Sequence, residues 1–82
     1  MSKYDPLYRF LCQTIQRTVT LTFEQLERIL GFALPKTARA RVQWWANETG
    51  ADTRHIQCKA WASAGFAAHP NLTAAKVTFS KN

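Results

Sequence analysis

The chain has 82 residues, 46% of them hydrophobic and 12% aromatic, with three Trp and five Phe. This is one domain with a small core, since a chain so short buries only about 60% of the surface it exposes when unfolded, and its aromatic content excludes intrinsic disorder. Eleven Lys/Arg against five Asp/Glu give a net charge of +6, a field that favours a polyanion, and the short apolar runs exclude a membrane span, which needs about 20 residues.

Met1-Ser2-Lys3-Tyr4-Asp5-Pro6 holds no apolar stretch of the kind a secretory leader needs, which predicts a cytoplasmic protein. Asp5-Pro6 opens the first element. Asp suits an N-cap, and Pro at the first helical position lacks only an N–H that would be unpaired there. Leu7, Phe10, Leu11 and Ile15 recur at helical spacing, which predicts a helix over 6–16. Thr18 to Phe23 alternates Thr with Val, Leu and Phe, the pattern of a half-buried strand. Thr22-Phe23-Glu24-Gln25 then reads as a capping box. It starts a second helix on Phe23, Leu26, Ile29 and Leu30 that Gly31 stops.

Phe32 to Pro35 is a connector, and Lys36 to Arg41 is a short helix. Gln43-Trp44-Trp45-Ala46 reads as extended, followed by a loop over Asn47 to Thr53. Asp52 or Thr53 can cap a helix over 54–64 that closes at Gly65. Phe66 to Ala68 and Ala74 to Phe79 read as strands around a His69-Pro70-Asn71 turn, with Val77 and Phe79 facing inwards. The expected class is α+β: three to four helices with a small antiparallel sheet of about three strands. The element order is that of a winged-helix-like domain, although an unrelated α+β fold has the same string.

Three constellations are candidates for function. Arg28, Lys36, Arg39 and Arg41 lie in a stretch from Arg28 to Asn47 with no acid, and Arg54 and Lys59 follow. Such segregation suits phosphate contacts; the plainer reading is a solvated face. Trp44 and Trp45, if in a strand, point to opposite faces. One then enters the core, and the other is free to stack on a base or anchor a protein interface beside the arginines; the plainer reading is that both are core, with their indole N–H groups satisfied locally. Arg54, Gln57, Cys58 and Trp61 share one side of the helix before the hairpin, with His55 and Lys59 adjoining. In a winged helix that element enters the major groove, where Arg reads guanine and Gln reads adenine.

Catalytic and metal chemistry is poorly supplied. His55 and Cys58 are three apart, and only His69 and Cys12 remain as further His/Cys ligands. A Cys–His nucleophile lacks an evident acid or amide to orient its base, and the glycines form no phosphate loop. No enzyme, metal or cofactor is expected. The two cysteines form no CxxC pair and are expected reduced and mostly buried.

Tyr4-Asp5-Pro6-Leu7, Leu21 to Gly31, Leu34-Pro35, Ala38-Arg39 and Trp44-Trp45-Ala46-Asn47 together form a specific pattern. His55 with Gln57, Ala60-Trp61, Ala64-Gly65 and Val77-Thr78-Phe79 extend it over nearly the whole chain. This pattern resembles a small domain of unknown function of bacteria and their phages. The resemblance implies nucleic-acid or defence biology, since that domain occurs alone or beside nuclease-like domains in mobile or defence settings. It carries over Trp44, Trp45, Asn47, His55, Gln57 and Trp61. Ile56 and Cys58 stand where the family usually has a small polar residue and an alanine, and Phe66 to Ala75 is less acidic than is typical. These departures suit a diverged, phage-borne copy with a partner of its own.

The expected function is therefore a small basic nucleic-acid-binding module without catalysis. Its contacts to DNA or RNA would come from Lys36, Arg39, Arg41, Trp44, Trp45, Asn47, Arg54, His55, Gln57 and Lys59. The alternative is a phage-encoded inhibitor of anti-CRISPR or anti-restriction type that docks on an acidic surface of a host defence complex. Either would work without a membrane, as a monomer or weak dimer.

Overall fold

Among the described residues, 3–46 and 56–81, the computed structural model has four α-helices and one three-stranded antiparallel sheet, an α+β domain. Helix α1 spans Asp5–Gln13, with Tyr4 rather than Asp5 in the N-cap position and Pro6 in the first turn. It ends three residues before the expected boundary. Thr14 is extended and its Oγ1 accepts from the Gln16 N–H at 3.3 Å, a local side-chain bond that competes with another helical turn. The chain then swings into the sheet, so Ile15 is 97% exposed instead of joining Leu7 and Leu11 in the core.

Strand β1, Thr18–Thr22, alternates exposed Thr with buried Val19 and Leu21. Helix α2, Phe23–Leu30, follows without a linker. The Gln25 N–H donates to Thr22 Oγ1 at 3.0 Å and the Thr22 N–H donates to Gln25 Oε1 at 2.9 Å, which completes the capping box. Gly31 ends it at φ 84°, its N–H donating to the Glu27 carbonyl. A side chain disfavours this left-handed geometry, and glycine tolerates it. Helix α3 is Lys36–Ala40, after Pro35.

Two expectations fail in the second half. Gln43 to Ala46 is not extended: Val42–Trp45 forms a 3-10 turn, with the Trp44 N–H donating to Arg41 and the Ala46 N–H to Gln43. A strand would send the two indoles to opposite faces, whereas the turn brings both against the core. The hairpin turn also lies later than expected. Strand β2 is Phe66–Asn71 and β3 is Lys76–Lys81. Pro70 is tolerated because β2 is an edge strand in the order β1-β3-β2. The reversal occurs over 72–75, where Asn71 Oδ1 accepts from the Ala74 N–H at 3.1 Å and Ala75 takes φ 54°.

Helix α4 is Ile56–Ser63, and Gly65 follows at φ 85°. The expected loop over Asn47 to Thr53, and the cap at Asp52 or Thr53, lie outside the described residues. The sheet's inner side carries Val19, Leu21, Phe66, Ala68, Val77 and Phe79. It shares one core with Leu7 and Leu11 of α1, Phe23 and Leu26 of α2, Trp45, and Trp61 of α4. Cys58 is buried, but Cys12 is exposed, contrary to expectation. No helix among the described residues is long and apolar enough to cross a membrane.

Candidate polyanion interface

The tryptophans are mainly structural. Trp45 is 1% exposed and stacks on Phe23 at 5.4 Å and 10°, and on Trp61 at 5.8 Å and 25°. Its indole N–H donates to the Ala38 carbonyl at 2.8 Å, which satisfies the one polar atom that burial would otherwise penalise. This corrects the expectation that either Trp could serve a ligand. Trp44 is half-buried, edge-on to Trp45 at 4.6 Å and to Tyr4 at 6.0 Å.

Gln57 is corrected likewise. It is buried, and its Nε2 donates to the Trp44 carbonyl at 3.2 Å. It pins the 3-10 turn to α4 and does not face outwards. Asn47, Arg54 and His55 lie outside the described residues.

The described basic residues from Arg28 to Lys59 divide into two groups. Arg28 donates to Glu24 at 2.8 Å, one helical turn away. Arg39 donates to Glu27 at 2.9 Å, and its guanidinium lies 5.6 Å from the Phe23 ring centre. The Glu27 carboxylate also accepts the Leu34 N–H at 2.6 Å. That backbone bond first, and Arg39 second, hold its pKa below the ordinary glutamate range. Glu27 is thus a latch joining α2 to the connector and α3. The stretch that is acid-free in sequence folds against the two glutamates of α2. Lys36, Arg41 and Lys59 are exposed and have no ion pair among the described residues.

An open groove of about 400 Å³ lies where α2 begins beside the β2–β3 turn, lined by Thr22, Phe23, Glu24, Glu27, Arg39, Ala74 and Ala75. Its charged groups are already paired, so it offers an anion little. Among the described residues, no three His, Cys, Asp or Glu side chains gather as a metal site. His69 shares a hydrogen bond with Ser80 Oγ at 2.9 Å.

Sequence reasoning missed the sheet's outer side. Thr18, Thr20, His69 and Lys76 are exposed there, with Thr78 and Ser80 partly so. The available signal was the absence of any Asp or Glu from Pro6 to Phe23 and from Thr53 to Asn82.

These features define a small basic α+β domain with exposed cations that have no ion pair among the described residues, and with no acid in its sheet strands. The chain belongs to a family described as Domain of unknown function (DUF7662), whose model matches residues 4–82. No curated protein and no solved structure matches it.

Proposed function

We propose that this domain is a non-enzymatic nucleic-acid-binding module, acting in the cytoplasm of a bacterium or of a phage-infected cell. One observation carries the reading: the glutamates of α2 are taken up by Arg28 and Arg39, while Lys36, Arg41 and Lys59 stay exposed and unpaired among the described residues. Unpaired cations on a chain of net charge +6 gain most by replacing the counterions condensed on a phosphate backbone. The element order and the β1-β3-β2 sheet support a winged-helix kinship. In such a domain α4 takes the place of the groove-reading helix, and the β2–β3 hairpin is the wing. Lys36, Arg41 and Lys59 then hold phosphates, and the half-buried Trp44 is a wedge or stacking surface. Asn47 and His55 remain candidate contacts through the family resemblance, and Arg54 through its charge.

The test is fluorescence anisotropy with labelled duplex and single-stranded oligonucleotides over a salt series. Binding is expected, with log affinity falling against log salt at a slope steeper than roughly −2.5 for duplex, as three phosphate contacts require. The triple charge reversal Lys36→Glu, Arg41→Glu, Lys59→Glu is expected to weaken it at least about tenfold. Absence of binding to every oligonucleotide at low salt overturns the reading.

A second reading, an inhibitor that docks on a defence protein, is favoured by Val42, which is 57% exposed between Arg41 and the Gln43–Trp44 turn. Aromatic and Arg groups beside exposed apolar surface are typical of protein interfaces. A partner captured from host lysate that survives nuclease treatment would select this reading over the first.

A further inference from the structure

We infer that the outer face of the β-sheet is itself a binding surface for the sugar-phosphate backbone of nucleic acid, contacted without regard to base sequence. The inference rests on the nucleic-acid reading above but names a surface on the layer opposite the helices. Three registered rows build it. Thr18 lies opposite Ser80, Thr20 opposite Thr78 and Thr22 opposite Lys76, while on the other side of β3 His69 lies opposite Thr78. These side chains point away from the core because their neighbours Val19, Leu21, Val77 and Phe79 are buried on the inner side.

The donor chemistry suits phosphate. Thr20 Oγ1 and Thr78 Oγ1 are 3.0 Å apart, so one hydroxyl donates to the other and the acceptor keeps its own O–H. His69 and Ser80 share one bond at 2.9 Å. Whichever group donates, one N–H or O–H of that pair is left. Lys76 adds a cation within the face, and the sequence places no carboxylate in any of the three strands. Arg17 lies just before β1, its carbonyl accepting the Lys81 N–H at 2.7 Å, while Lys81 itself alternates to the inner side with its Nζ 5.8 Å from the Phe66 ring centre. An ordinary solvated sheet face mixes both signs of charge; the outward strand positions of this one carry one cation, Lys76, and no carboxylate.

Base readout is a different matter. The outward positions of the strands carry Thr, Ser, Lys, Ala, Asn and a single His, with no Phe, Tyr or Trp on which bases could stack. Contacts of this kind position a backbone and carry no sequence information.

The decisive comparison uses the full chain with labelled oligonucleotides of unrelated sequences. The double variant Thr20→Glu, Lys76→Glu is expected to lose at least about tenfold in affinity for all sequences alike, with the salt slope reduced by about 1. Thr20→Lys, at the same exposed position, is expected to tighten binding and steepen the slope, which keeps the test valid if the double variant folds poorly. Wild-type binding that neither substitution alters overturns the sheet surface and leaves the helix-layer reading standing. No binding by the wild type overturns both. Binding to phosphatidylserine vesicles without any to oligonucleotides also overturns the assignment, since the anion would then be a lipid headgroup.

Discussion

Trp45 and Glu27 act in opposite ways on the same region. Trp45 fills the space between Phe23 and Trp61 and ties Ala38 to the core through its indole N–H. Trp45→Ala leaves an indole-sized cavity and an unpaired Ala38 carbonyl. The expected loss is about 3–5 kcal/mol, a large share of the total stability of a small domain, measurable by urea denaturation. Glu27 works from the surface side, through charge. Its folded pKa is depressed, so its stabilising effect is present above the unfolded carboxyl pKa and is lost as pH falls through the folded one. Glu27→Gln is therefore expected to lower Tm near neutral pH. The gap to wild type should close as the solution is acidified below the ordinary glutamate range, where the wild-type carboxyl is protonated as well. A gap that persists unchanged into acid would mean the carboxylate charge is not what stabilises the latch. Trp45 was legible as a core candidate only as one of an adjacent pair. The Glu27 latch was not legible, because its partners Leu34 and Arg39 are seven and twelve positions away and meet it only when the connector folds back.

At the scale of elements, local chemistry succeeded where one residue serves one bond. Thr22 closes β1 and caps α2, and both bonds of the capping box were readable from Thr22-Phe23-Glu24-Gln25. Thr22→Ala is expected to cost about 1 kcal/mol, within a range of about 0.5–2, while Thr22→Ser keeps most of the cap. Chemical denaturation of both variants separates the lost hydroxyl from any change in the strand. The stop at Gly31 was legible for the same reason, since left-handed backbone favours glycine. The failures occurred where two local options were close in energy. Ile15 sits at helical spacing from Leu11, yet the Thr14 side chain offers the backbone a competing bond and the helix ends. The His69-Pro70-Asn71 segment has turn residues, yet edge position and pairing with β3 draw it into a strand. In the second place the competing partner lies in the strand that follows, and propensity carries no information about it.

At the scale of the whole molecule, charge is organised by layer. The glutamates of α2 meet Arg28 and Arg39, while Lys36 and Lys59 on the helices, Arg41 after α3 and Lys76 on the sheet have no ion pair among the described residues. If both layers bind nucleic acid, charge reversals on the two layers should act almost additively on log affinity, because side chains on separate surfaces share no partner. A combined variant whose loss equals that of one layer alone would place the contacts on that layer only. The salt dependence of each variant reads this out directly, since each lost phosphate contact removes about one counterion's worth of slope.

From its residue order alone the chain determines the class α+β, the alternation of β1, the cap and stop of α2, and an excess of positive charge. Each of these depends on neighbours within a few positions, where backbone geometry and side-chain chemistry are already set. Tertiary structure decided which charges remain free and which aromatic rings remain exposed. The basic stretch lost Arg39 to a glutamate on another helix, Trp45 turned inwards to stack with Trp61 while Trp44 stayed half-buried, and Gln57 was drawn under the 3-10 turn. Those outcomes follow from packing between segments distant in sequence, where burial of apolar surface and satisfaction of buried polar atoms determine which side of the molecule each side chain meets.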